Sequence, residues 1–226
     1  MDVSRDRIVE LAATQGQELA HIPGASFAEV VRVPAEIQQS DGAQAAARVH
    51  GISDDEIACG TAFPESWARF LNFTEACSNN VIHVGDDTSD EEPSLPRPLD
   101  APPNIVIAAH NGFRFDFAVL LFECERHKLP ISPLRRWFFV DTLQVLESTK
   151  AELGGACLKL QCLINTLAEA RALRAHRALD DCIALRYVVH NIASKLGCSV
   201  TDLLRLYAVR LDEQVSTAQV AALIEE

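Results

Sequence analysis

The stretch NIVIAAHNGFRFDFAVLLFECERHK, residues 104–128, changes its periodicity halfway along. Its first eight residues form a continuous apolar run closed by His110 and Asn111. That run is too short for a helix of its own and suits a strand buried on both faces. Beyond Gly112, the residues Phe117, Leu120, Leu121 and Cys124 recur at i, i+3, i+4 and i+7, one face of a helix. A buried strand feeding an amphipathic helix is the repeating unit of an α/β sheet. WFFVDTLQVL (137–146) repeats the pattern, an apolar strand running into a helix. Two further amphipathic helices follow, in LKLQCLINTLAEARAL (158–173) and in ALDDCIALRYVVHNIASKLG (178–197), the second closed by Gly197.

Upstream, IVELAAT (8–14) and SFAEVVRVP (26–34) read as two strands of a hairpin. Residues 53–78 read as helical, with Ser53 as N-cap and Pro64 starting a second helix after a break. The acidic, proline-rich stretch 85–103 reads as a solvated loop. Together these elements predict one α/β domain with a mixed sheet flanked by helices over residues 1–198, followed by a helical tail over 199–226. Ligands of such sheets sit beyond the carboxyl ends of the strands, where His110, Asn111 and Asp141 gather.

Composition narrows the function classes. The 226 residues are 48% hydrophobic and 23% charged, as in ordinary globular proteins. No apolar run approaches the roughly 20 residues that span a bilayer, and the polar opening MDVSRDRIVE does not read as a secretory signal. Seven scattered cysteines without a CxxC pair predict buried thiols in a reducing, intracellular compartment, nucleus or cytoplasm. The net charge of −12 argues against a broad nucleic-acid-binding surface. Yet residues 104–187 hold 11 Lys/Arg against 9 Asp/Glu, so this half can still meet a compact anionic substrate.

Three signals converge on one rim. Asp116 stands in the first turn of the helix after the 104–111 strand, Asp141 ends the next strand, and HRALDD (176–181) sets His176 in a loop with Asp181 one turn inside a helix. Converging carboxylates repel unless a cation lies between them, and hard oxygen donors suit Mg²⁺ or Mn²⁺. A histidine beside them that is not itself a ligand suits a general base. Each feature also has a plainer reading, since acidic residues near helix starts complement the macrodipole.

In order and spacing the motifs HNGFRFDF and HRALDD, with IVELAAT, RVHGISDDEI (48–57), VDTLQV and LKLQCLINTL, resemble the DEDDh exonucleases. These are RNase H-like 3′→5′ exonucleases, and HNGFRFDF is most similar to the second motif of their TREX group. The resemblance covers about residues 5 to 192. It implies Asp116 and Asp181 as metal ligands, His176 as the base, and two Mg²⁺ (or Mn²⁺) ions in the complete family site. Asp141 would support the site structurally, with Asp180 a solvated neighbour. His50, Gly51 and Ile52 match a family segment near the substrate's 3′ end, or else form a turn with an apolar anchor. Asn111 would brace the rim beside the substrate. The implied substrates are single-stranded or frayed 3′ ends of DNA or RNA, with no membrane partner, and the group's relatives are often homodimers.

One family motif has no counterpart. An apolar strand bearing Asp-x-Glu should precede SRDRIVELAAT, and the chain begins at Met1. The expectation is therefore a sheet lacking its central first strand, with a gap between strands 8–14 and 104–109. A misplaced start or a fragment would explain this, as would a catalytically inactive relative that binds nucleic acid or protein. Alternatively VIHVGDD (81–87) would fill the gap, with Asp86 and Asp87 as replacement ligands.

Overall fold

The computed structural model describes residues 6–16, 24–79, 105–151, 157–166 and 176–210. Strands β1 (Glu10–Thr14) and β2 (Ser26–Val30) pair antiparallel, Glu10 opposite Val30 and Thr14 opposite Ser26. This is the hairpin read from the sequence. Two short helices, α1 (Ala35–Gln38) and α2 (Asp41–His50), follow where no helix was expected. Their signals are plain in retrospect: Ser40 caps Ala43 N–H, and Gly51 closes α2 in the left-handed conformation at φ 67°. Ser53 then starts α3 (Asp54–Ala58) through a reciprocal capping box with Glu56. Helix α4 (Phe63–Asn79) carries Pro64 in its first turn, as expected.

The second sheet holds β3 (Val106–Ala109), β4 (Phe138–Asp141) and β5 (Val209–Arg210), with β4 in the middle. β3 runs parallel to β4, and β5 antiparallel. The helix α5 (Asp116–Arg126) and the turn α6 (Ser132–Arg135) connect β3 to β4. Beyond β4 come α7 (Thr142–Ser148), α8 (Leu160–Thr166), α9 (Ala178–Leu196) and α10 (Val200–Tyr207).

Strand alternation divides the core in two. Ile107, Ala109 and Phe139 face a cluster built from Trp67, Phe70, Phe117, Leu121 and Trp137. Val106, Ala108 and Val140 face another, built from Leu146, Val188, Val189, Ile192 and Leu203. The helical face predicted for α5 is buried at all four positions, Phe117, Leu120, Leu121 and Cys124.

Three expectations change. β3 is half-buried rather than fully buried, because among the described residues it pairs only with β4 while both its faces are packed. Among the described residues β1 likewise pairs only with β2, so β1 and β3 belong to two sheets rather than to one sheet with a gap. The segment from Ser199 is not helical throughout. Helix α10 ends at Tyr207, and Val209–Arg210 add a strand to β4, with Leu203 buried in the second core cluster. Stretches 81–87 and 85–103, with Asp86 and Asp87, lie outside the described residues, as do residues 167–175 and 211–226.

The cysteines also differ from expectation. Cys59 and Cys198 are exposed rather than buried, and Cys157 and Cys162 form a disulfide across the start of α8. The spacing of five residues, with Leu160 starting α8, lets the first helical turn carry Cys162 back over Cys157. Seven free thiols therefore do not describe this chain.

Candidate active site

The HRALDD loop is held by neighbours rather than by its own caps. Arg177 occupies the N-cap of α9 in an extended conformation, and its side chain makes no capping bond there. The exposed N–H of Ala178 instead donates to Glu10 Oε2 on β1, at 2.8 Å. The Arg177 guanidinium donates to the same carboxylate, Nη2 to Oε1 at 2.9 Å and Nε at 3.2 and 3.3 Å to its two oxygens. One residue earlier, His176 sits at φ 69°, a left-handed conformation that non-glycine residues seldom adopt. Its N–H donates to Asp181 Oδ1 at 3.3 Å, across one turn of α9. His176 is exposed in this braced loop.

Asp116 opens α5. Its surface is accessible to solvent, but the protein crowds it closely on its other sides. This loss of surrounding water is the main reason its carboxyl is pushed up to about 6; its own backbone N–H opposes the shift, and the charges of Asp141 and Asp181 reinforce it. Asp181 is also raised, chiefly by burial, against the His176 N–H and ring, with Asp180 and Glu10 adding repulsion. The two carboxylates lie within electrostatic reach of each other, since the charge of Asp181 acts on Asp116. Between them Cys182 is pushed up to about 12 by burial and then by Asp116, Asp181 and Glu10, so it is an unreactive thiol.

Asp141 does different work. It is 4% exposed, and it accepts from Asn111 N–H at 2.8 Å, Phe113 N–H at 3.2 Å and Leu143 N–H at 2.9 Å. It therefore caps α7 and fixes the turn leading to Asp116 at once. That turn needs support: Asn111 is left-handed at φ 61°, and a side chain at Gly112 would meet the Phe117 ring at 2.6 Å. Replacing Asp141 with alanine leaves three donors without their acceptor, a cost of about 3 kcal/mol or more. Chemical denaturation of Asp141→Ala checks this, and a loss below about 1 kcal/mol would show that water replaces the carboxylate.

The remaining predicted residues divide. Ile52 is 2% exposed, in a cluster with Val33 and Ile57, so its side chain is an apolar anchor and no substrate contact. Gly51 is the exposed cap of α2. His50 is half-buried and its Nδ1 accepts from Ile52 N–H at 3.0 Å. Burial lowers its pKa most, while Glu10 and Arg177 act on it in opposite senses, which places it beside HRALDD. His110 Nδ1 lies 3.1 Å from Thr142 Oγ1. Together with Asn111, Phe115, Lys150 and Lys159 it lines an open recess of 670 Å³ next to the Asp116 turn. The sequence reading missed Glu10 as a partner of HRALDD. The available signal was an acidic residue at the first position of an otherwise apolar strand.

Among the described residues, no three His, Cys, Asp or Glu side chains gather into a ready-made ion site. The donor chemistry of Asp116 and Asp181 suits one hard cation: two oxygen donors repelling each other at an accessible rim, with Asp141 already satisfied by three backbone N–H groups.

No protein-family model matches the chain. In sequence it is similar to the Exonuclease DPD1, chloroplastic/mitochondrial, of Arabidopsis thaliana, at 26% identity over 205 residues. The match covers 88% of this chain and 54% of that protein, so the chain spans about half the length of this curated relative. A solved structure described as 3′-end specific recognition of histone mRNA stem-loop by 3′-exonuclease superposes with a TM-score of 0.55. That match covers 94% of both chains at 10% identity, a likeness of fold. The mixed α/β fold is therefore that of a 3′-exonuclease. The location in the plant relative's name is neither of the compartments expected from the sequence, and no described helix is long and apolar enough to cross a membrane.

Proposed function

We propose that this chain is the RNase H-like, DEDDh-type part of a metal-dependent 3′→5′ exonuclease, closest in its motifs to the TREX group, acting on single-stranded or frayed 3′ ends. The observation that carries the reading is the N–H of the exposed His176 bonded to Asp181, whose charge in turn acts on Asp116. Similarity to an exonuclease in sequence and to a 3′-exonuclease in fold supports it.

Asp116 and Asp181 would hold Mg²⁺ or Mn²⁺, which when bound supplies positive charge to the scissile phosphate and makes water more acidic. His176 receives a proton from the attacking water, and the hydrogen bond from its N–H to Asp181 fixes where the ring can reach. Asp141 and Gly112 keep the Asp116 turn in register. Lys150 and Lys159 lend the recess a positive margin that attracts a phosphodiester strand. Because such contacts go to phosphates rather than base edges, sequence preference is weak.

The test is degradation of end-labelled oligonucleotides. A 5′-labelled single strand should shorten one nucleotide at a time with Mg²⁺ or Mn²⁺ and stay intact with EDTA. Internal cleavage, or shortening that survives EDTA, would overturn the proposal. Calorimetry with Mn²⁺ on the 226-residue chain is expected to find one weak site, lost in Asp116→Ala, since two carboxylates neutralise one divalent charge. Two tight sites would mean that further ligands join from outside the described residues, with Asp86 and Asp87 the first to replace.

A further inference from the structure

We infer that Glu10 is the positioning residue for His176: from strand β1 it holds the loop that carries the histidine, and it is not itself available to bind metal. This rests on the proposed function insofar as His176 acts on a substrate, but the physical role of Glu10 is independent of it. Both Glu10 oxygens are spoken for, Oε1 by Arg177 and Oε2 by Arg177 and the N–H of Ala178. The carboxylate is only 9% exposed and Arg177 30%, so this is a largely dehydrated pair 167 residues apart in sequence.

The arrangement answers a structural need. A helix start leaves N–H groups without partners, and Arg177, as N-cap residue, offers none of the usual side-chain acceptors. Glu10 supplies that acceptor from another element, adding a negative charge at the helix N-terminus. At the same time His176 is held in the left-handed region, which is strained and persists only when its neighbours over-determine it. Asp181 grips the His176 N–H from the helix side and Glu10 grips the next two residues from the sheet side. Loss of Glu10 leaves one grip, and the loop can relax toward ordinary backbone angles. The pair joins the hairpin to HRALDD directly.

The experiment compares Glu10→Ala and Glu10→Gln with Glu29→Ala, which breaks the other hairpin-to-helix pair, Glu29 with Arg69 and Ser66. Hydrogen exchange of residues 176–181 should rise in both Glu10 variants, less in Glu10→Gln because its amide oxygen can still accept from Ala178 N–H. Exchange there should stay unchanged in Glu29→Ala. With a single-stranded DNA oligomer as substrate, kcat of Glu10→Ala should fall about 10–100-fold at constant KM, with Glu10→Gln between it and the parent. Unchanged exchange over 176–181 in Glu10→Gln would overturn the inference, as would equal kcat losses in Glu10→Ala and Glu29→Ala. If the parent degrades no oligomer, raised exchange over 176–181 still supports the positioning role, and the failure is that of the proposed function. Should Glu10→Ala not fold, Glu10→Gln carries the comparison alone.

Discussion

Asp181→Ala is expected to remove exonuclease turnover altogether, more than about 10³-fold, while the protein still folds. The substitution deletes one of the two carboxylates proposed to hold the cation. It also deletes the acceptor of the His176 N–H, so the histidine loses its fixed place in the same step. Two roles vanish with one side chain. Folding should survive, because alanine is the most favourable residue inside a helix and Asp181 lies within α9. The raised pKa of Asp181 points the same way, since a crowded, repelled carboxylate is not a stabilising one. Measured together, unchanged circular dichroism, no Mn²⁺ heat above background and no shortening of a 5′-labelled oligomer would bear this out. Full turnover in Asp181→Ala would remove HRALDD from the mechanism.

His176→Ala is expected to lower turnover by about 10²–10⁴-fold and to leave oligonucleotide affinity within about twofold of the parent, the pattern of a lost general base. The side chain is exposed, so its removal costs little stability. Relief of the left-handed backbone does not follow from the change, because alanine dislikes that region as histidine does. Single-turnover rates with and without added imidazole would separate chemistry from binding. A parallel fall in affinity and rate would instead make His176 a substrate contact. Glycine at the same position offers a control: it accepts φ 69° freely, and its rate should match that of alanine if the imidazole matters and the backbone does not.

How much of this was legible beforehand depends on the range of the interaction concerned. Local patterns carried far. The hairpin, the strand-to-helix change at Gly112, the buried face of α5, the break before Pro64 and the closure of α9 by Gly197 all follow from spacing and from residues with special backbone freedom. Asp116 and Asp181 were both legible as carboxylates near helix starts, and in the structure the charge of one acts on the other. The short helices α1 and α2 were missed because neither buries a residue, leaving no apolar stripe to read.

Which residues open helices and which faces are apolar can be read from the chain alone, since both are decided within a few residues by dihedral preference and by period. What surrounds those residues emerges only when distant elements pack together. Asp141 and Asp116 look alike as aspartates beside strand ends, yet one is satisfied by three backbone N–H groups and the other is left crowded and repelled. Ile52 and His50 are two residues apart, yet one fills a core and the other lies against an ion pair. Glu10 and Arg177 are 167 positions apart, and nothing near either predicts the other. A carboxylate's role depends on which donors and charges surround it, and those arrive from distant parts of the chain only once the elements have packed.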